Sequence, residues 1–151
     1  MPILTQACDP HVKTPRFKCP AGTIDAHIHL FGPASQYPFD PNSYYTSRDQ
    51  TPETHAGVMK TLGIERAVII SAGGYGRNPR HLADTLAKHP DTYRGVALVP
   101  DDIPHSELER LGKLGVRGIR CMSASKGGVL PTIDETVSAR VHEHGWHVQF
   151  Y

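Results

Sequence analysis

The sequence has few of the features that mark several classes of protein. Only three of its 151 residues are cysteine, an odd number at spacings that match neither a zinc site nor a redox pair, so we predict free thiols in a reducing cytoplasm. The 16 lysines and arginines nearly balance the 15 aspartates and glutamates, which argues against a nucleic-acid surface. No apolar run approaches the roughly 20 residues that span a bilayer. The composition therefore predicts a cytoplasmic protein with no nucleic-acid or membrane partner.

The chain does contain strand-like apolar runs that alternate with helical stripes. Residues 1–22 are rich in proline and predict an irregular N-terminal arm, whereas residues 23–151 predict one domain of four strand-helix units and a fifth strand. Strict alternation predicts an α/β fold with a parallel sheet, because parallel neighbours need long crossovers. Two architectures fit: a complete doubly wound sheet, or the N-terminal portion of a TIM (β/α)8 barrel. The barrel portion is favoured because Tyr151 falls inside an apolar strand.

The first strand carries the pattern from which the site prediction starts. Within residues 23–31, apolar residues alternate with Asp25, His27 and His29. Side chains alternate between the two faces of a strand, so both imidazoles leave the same face and point at one spot. An accidental pair of histidines on a half-exposed strand is the alternative interpretation.

Several short sequence motifs follow this pattern further along the chain. With His-x-His at the end of its first strand, the segment 25–33 resembles the opening of the amidohydrolase superfamily. Later matches narrow the resemblance to the 2-pyrone-4,6-dicarboxylate lactonase branch, filed as predicted TIM-barrel metal-dependent hydrolases. These matches are Pro38-Phe39, Tyr45, Arg48-Asp49, Gly118-Ile119-Arg120 and Gly145-Trp146-His147-Val148 before Tyr151. The resemblance runs from about Cys19 to the last residue.

This resemblance implies a hydrolase of aromatic-compound catabolism. Its substrate would be a carboxylated lactone like 2-pyrone-4,6-dicarboxylate, or a similar small organic acid ester, opened by water attack on a polarised carbonyl. His27 and His29 are the implied catalytic residues. In most of the superfamily such a pair ligates a divalent metal, with zinc the expected ion, whereas in the lactonase branch the histidines polarise the carbonyl without a metal. Both options stay open.

The same resemblance implies four substrate-binding residues. Arg120 matches an arginine that grips a substrate carboxylate through its bidentate fork, with a rim salt bridge as the alternative. Tyr45 and Tyr151 match hydroxyl donors, although both could be packing groups. Lys126 stands where the family carries a second arginine, so the charge is kept and the fork is lost. Gly73 replaces a serine of that lactonase, and both departures point to an altered substrate.

Part of the family's machinery would lie beyond Tyr151. An aspartate general base, a third histidine and a further arginine are implied there, so this chain alone is expected to be inactive. Two rival functions remain: a decarboxylase of the same superfamily, and a catalytically incomplete fragment that only binds small anions. Exposed sheet edges predict a homo-oligomer or pairing with a C-terminal half. Histidines on predicted helices and loops, among them His55 and His81, are expected to be solvated.

Overall fold

The computed structural model describes residues 1–6, 8–9, 12–121 and 135–151. A single turn of 3-10 helix covers Gly73–Tyr75. The other elements, in chain order, are β1 (Ile3–Leu4), β2 (Ile24–Ile28), β3 (Tyr45–Thr46), α1 (Pro52–Leu62), β4 (Arg66–Ile70), α2 (Arg80–Lys88), β5 (Tyr93–Ala97), α3 (His105–Leu114), β6 (Val116–Cys121), α4 (Glu135–Glu143) and β7 (His147–Phe150).

Five of these strands form one curled parallel sheet, which is half of a barrel. The order across the sheet is β2-β4-β5-β6-β7, and every neighbouring pair is parallel. A doubly wound sheet reverses its strand order at a switch point, whereas the five strands of this sheet lie side by side in the order in which they occur along the chain. The predicted barrel portion is therefore confirmed, and the doubly wound alternative is wrong.

Local sequence signals set the ends of the helices. Thr51 precedes α1 and Pro52 occupies its first position, where the missing N–H of proline costs nothing. Gly63 and Gly115 end α1 and α3 in the left-handed conformation, with φ of 76° and 110°. The sequence Thr132-Ile133-Asp134-Glu135 has the pattern of a capping box and predicts the start of α4, but Thr132 lies outside the described residues. In the part of the chain that the structure describes, no helix is both long and apolar enough to cross a bilayer.

The core lies between the sheet and its helices. Leu86, Leu108 and Val141 of the helices are fully buried, and they belong to the same cluster as alternate strand residues, namely Ile28, Leu30, Ile69, Ala97, Ile119 and Cys121. Because strand side chains alternate between faces, the residues between these positions face the inside of the curl. That inner face therefore carries His27 and His29, then Arg120, and then Gln149 beside Val148, which packs against the core.

The N-terminal arm contains one regular segment. Strand β1 pairs in parallel with β3, and the backbone N–H groups of Ile3 and Thr5 donate to the carbonyl oxygens of Tyr44 and Thr46 at 2.9 and 2.8 Å. The arm thus holds the short segment that carries Tyr45, a residue that the sequence assigns to the site.

Candidate active site

The structure brings five of the six predicted site residues together. The side chains of His27 and His29 lie at the carboxyl end of β2, Arg120 lies near that end of β6, and Tyr151 follows β7. Carboxyl ends of parallel strands meet at one edge, which is where barrel enzymes place their active sites. Arg120 lies close enough to His29 for its charge to lower the pKa of that histidine. Tyr45 and Tyr151 lie close enough to Arg120 to affect the pKa of its guanidinium. Lys126 lies outside the described residues, so its role stays a prediction.

His29 has a defined hydrogen-bonding state. Its Nδ1 lies 2.8 Å from the carbonyl oxygen of Ile70 in β4, and because a carbonyl only accepts, Nδ1 carries the proton. Part of the ring is open to solvent, but burial of the rest lowers the pKa of His29. The hydrogen bond to Ile70 raises this pKa, whereas the charges of Arg120 and His27 lower it. At neutral pH the ring is therefore uncharged. Its Nε2 then presents a lone pair to the site and has no proton to donate.

His27 stands next to this ring. The two ring centroids are 5.1 Å apart and nearly perpendicular, at 88°. Asp25, which precedes the pair, accepts a hydrogen bond from the backbone N–H of His27 at 3.1 Å. A register shift between Asp25 and Ile28 marks a bulge in β2, and bulges commonly re-aim side chains next to active sites.

The described residues supply only part of a metal site. Within residues 1–6, 8–9, 12–121 and 135–151, no group of three or more histidine, cysteine, aspartate or glutamate side chains is placed to hold a metal ion. A catalytic zinc has three protein ligands, and His27 and His29 would provide two. The donor set is therefore incomplete, and zinc ligation by the pair stays a prediction.

Arg120 is a buried cation without an acidic partner among the described residues. It is 7% exposed, forms none of the ion pairs found there, and its Nε has no hydrogen-bond partner. The guanidinium carbon lies 4.7 Å from the centroid of the Tyr151 ring. Burial lowers the pKa of Arg120, but a guanidinium stays charged at any physiological pH. A buried charge of this kind needs an anion, and none of the ion pairs among the described residues supplies one.

Tyr45 is held by the loop that follows β4. Its hydroxyl accepts a hydrogen bond from the Gly74 N–H at 2.9 Å, and burial raises the pKa of Tyr45, so the hydroxyl keeps its proton and can donate it. The close approach requires glycine, because a Cβ on Gly74 would lie 2.6 Å from the ring of Phe39. Phe39 also packs against Tyr45, with ring centroids 6.2 Å apart.

Two histidines that were expected to be solvated are not: His55 is half-buried with its Nδ1 3.1 Å from the Tyr93 hydroxyl, and His81 is more deeply enclosed. His81 is buried, with its ring stacked on Tyr75 at 4.9 Å and its edge toward Tyr37 at 4.8 Å. Its Nε2 lies 3.2 Å from the carbonyl oxygen of Gly32, whose N–H donates to the Tyr75 hydroxyl at 2.8 Å. The available signal in the sequence was that His81 directly precedes Leu82, the first apolar residue of the buried face of α2. His81 therefore fixes the loop directly after the histidine pair.

Sequence reasoning also missed Gln149. This residue lies on the inner face beside Arg120, and its buried Oε1 has no hydrogen-bond partner in the part of the chain that the structure describes. Its spacing of two residues from Tyr151 on the same strand was the available signal.

Three histidines whose rings are partly or wholly shielded from water predict that stability falls in mild acid. Burial is the largest cause of a pKa below 6.5 for His29, His55 and His81. The unfolded chain therefore takes up protons at a higher pH than the folded chain. We expect the free energy of unfolding to be constant above pH 6.5 and to fall below it, through the folded-state pKa values. Urea unfolding at about pH 7.5 and about pH 5.5 measures this.

A pair of variants isolates the contribution of one ring. His81→Gln should reduce the acid sensitivity, whereas His142→Gln, at an exposed position of α4, should leave it unchanged. Equal stability at both pH values, or the same acid loss in all three proteins, would contradict the assignment.

Comparison with protein families matches residues 24–151 to a family described as "Amidohydrolase". Over 139 residues the chain is 35% identical to 2-pyrone-4,6-dicarboxylate hydrolase of Comamonas testosteroni, a match that covers 91% of this chain and 46% of that protein. It is 29% identical over 110 residues to 4-sulfomuconolactone hydrolase of Hydrogenophaga intermedia, covering 73% and 36%. The chain thus spans about half the length, or less, of these curated relatives.

A solved structure has the same fold. A crystal structure of an Agrobacterium tumefaciens protein without ligand superposes with a TM-score of 0.79 at 23% identity, over 90% of this chain and 50% of that one. At this identity the likeness concerns the fold, which is the arrangement of parallel strands and helices described above.

Proposed function

The chain belongs to the amidohydrolase family, and from that premise we propose that its site binds a carboxylated lactone and activates the ring carbonyl for attack by water. One observation carries the proposal: the buried Arg120 guanidinium has no acidic partner among the described residues and stands on the same inner face as a neutral His29. A substrate carboxylate would satisfy the Arg120 guanidinium, and a water molecule that donates a hydrogen bond to Nε2 would satisfy His29. The chain covers 46% of its C. testosteroni relative, so the hydrolysis that a complete protein would carry out is part of the proposal.

Arg120 is the anchor for the substrate carboxylate. A guanidinium binds a carboxylate through two parallel N–H donors, which fixes orientation as well as position. Tyr151 lies against its face and limits rotation of the guanidinium plane. Because the side chain is largely out of water, its attraction for an anion is screened less than at the surface.

Around the carbonyl, the histidines have different roles. The lone pair on Nε2 of neutral His29 accepts a hydrogen bond, so this atom holds the attacking water. It cannot polarise a carbonyl oxygen by donation. His27 and the hydroxyl of Tyr45 are the donors available for that oxygen, which refines the expectation that both histidines polarise it. As the water oxygen bonds to the carbonyl carbon, the water gives up one proton; the ring C–O bond then breaks and the departing oxygen takes up one proton, which gives the open-chain acid.

The two relatives support the substrate class. Their names describe hydrolases of a pyrone dicarboxylate and of a sulfonated muconolactone, both of which are ring esters with anionic groups. This chain carries Gly73 and Lys126 at positions where the resemblance implies serine and arginine. We therefore propose a carboxylated lactone other than 2-pyrone-4,6-dicarboxylate as the preferred substrate.

Ligand-observed NMR on the 151-residue chain tests this proposal. The ligands are 2-pyrone-4,6-dicarboxylate and, as the matched control, 2-pyrone without carboxylates. We expect the dicarboxylate to bind and the uncharged ring to show no saturation at the same concentration. Equal binding of both rings would contradict the proposal.

Product mass from the same samples, with and without zinc, separates the candidate reactions. Hydrolysis adds one water to the substrate, whereas the rival decarboxylase would remove carbon dioxide. Turnover would show that the residues of this chain suffice. Binding without turnover agrees with a site whose base lies elsewhere.

A further inference from the structure

Two neighbouring residues on the inner face of the sheet each carry a buried polar atom that has no partner among the described residues. Arg120 in β6 and Gln149 in β7 are register partners. The Nε of Arg120 and the Oε1 of Gln149 are both buried, and neither has a hydrogen-bond partner among the described residues. Adjacent strands are about 4.8 Å apart, so both side chains can reach one small ligand.

The two unpartnered atoms, Arg120 Nε and Gln149 Oε1, have complementary hydrogen-bonding chemistry. The Arg120 Nε–H is a charged donor, and the Gln149 Oε1 is a neutral acceptor. Buried polar groups without partners cost stability and call for a specific explanation. A ligand that offers an acceptor to Arg120 and a donor to Gln149 would satisfy both at once, which neither a bare carboxylate nor an apolar ring does.

We propose that Gln149 is a specificity residue that selects carboxylated substrates with a hydroxyl group next to the carboxylate held by Arg120. The carboxylate oxygen accepts from the guanidinium, and the neighbouring hydroxyl donates to the Gln149 amide oxygen. A hydroxyl suits this position better than an ammonium group, because the positive charge of Arg120 stands beside it. The inference rests on the proposed function and narrows its substrate class to hydroxylated carboxylic acids and their lactones.

Succinate and malate are suitable probes because they differ by one hydroxyl. Titration calorimetry on the 151-residue chain should show malate binding about tenfold more tightly than succinate, the effect of one buried hydrogen bond. In Gln149→Met the side-chain length is kept and the acceptor is lost, so the two affinities should become equal within about twofold while succinate binds as before. Gln6→Met makes the same change on the exposed arm and should leave the tenfold preference intact.

Two outcomes would overturn the inference. An unchanged preference for malate in Gln149→Met would mean that the amide does not contact the hydroxyl. An equal loss of affinity for malate and succinate in Gln149→Met would mean that Gln149 only orients Arg120. Gln149→Asn, which keeps the amide and draws it back from the ligand, is the second variant if the methionine protein does not fold, and it should also lose the preference.

Arg120→Met distinguishes failure of this inference from failure of the proposed function. If wild type binds both acids equally and Arg120→Met binds neither, the carboxylate site is present and only the role of Gln149 is wrong. If Arg120→Met binds both acids as well as wild type does, the carboxylate site itself is wrong.

Discussion

Replacing Arg120 with methionine is expected to weaken binding of a carboxylated lactone by about 100-fold or more, because removal of one partner of a buried charge pair costs about 2–5 kcal/mol. Methionine keeps much of the side-chain volume and still packs on Tyr151, so the loss reports on charge and hydrogen bonds. Arg120→Lys keeps the positive charge but loses the two parallel N–H donors, so its affinity should lie between those of the wild type and Arg120→Met. Titration calorimetry measures all three affinities.

Arg117→Met is the matched control for this experiment. Arg117 belongs to the same strand, but it is exposed and its guanidinium donates to the carbonyl oxygens of Gly112 and Val116. Its removal should change affinity by less than about twofold, since exposed charges contribute little. An equal effect of the two substitutions would mean that net charge, and not a defined carboxylate site, attracts the ligand.

Alanine at Gly118 is expected to destabilise the protein by about 1–3 kcal/mol, the usual cost of forcing an extra group into a packed position. A Cβ at Gly118 would lie 2.7 Å from both the ring and the backbone oxygen of His147, its register partner in β7. The ring can rotate away, but the backbone oxygen moves only if β7 moves. That shift would carry Gln149 and Tyr151 away from Arg120, so the affinity for carboxylates should fall together with stability.

Gly57→Ala provides the control for the glycine substitution. Gly57 lies in the exposed middle of α1, and a Cβ there would meet nothing within 4 Å. Alanine should stabilise this helix by about 0.5–1 kcal/mol. Urea unfolding compares the two variants with the wild type. Full stability of Gly118→Ala would show that β6 and β7 tolerate separation and that their close packing does not position the site.

Much of the fold followed from short-range pattern. The alternation in residues 23–31 predicted that His27 and His29 share one face, and their ring centroids lie 5.1 Å apart. The alternation of apolar runs with helical stripes predicted the parallel sheet. Gly63 and Gly115 end helices where the periodicity ended. These features depend on neighbours within a few residues, so the sequence alone is enough to predict them.

The details of the site depend on partners that are distant in sequence. His29 takes its tautomer from a carbonyl oxygen 41 residues away, at Ile70. His81 is buried because the loop at Gly32, 49 residues earlier, folds over it. The pairing of Arg120 with Gln149 depends on the register of β7 against β6. No periodicity encodes such register or loop placement, which is why the unpartnered atoms were visible only in the structure.

In the proposed site, a carboxylated lactone binds between Arg120 and the histidine pair. The most direct measurement is NMR of the chain with ¹⁵N-labelled histidine rings, titrated with 2-pyrone-4,6-dicarboxylate. We expect an uncharged His29 with its proton on Nδ1, and ligand-dependent shifts at His27 and His29 that disappear in Arg120→Met. Shifts confined to histidines remote from this edge, or identical shifts in Arg120→Met, would contradict it.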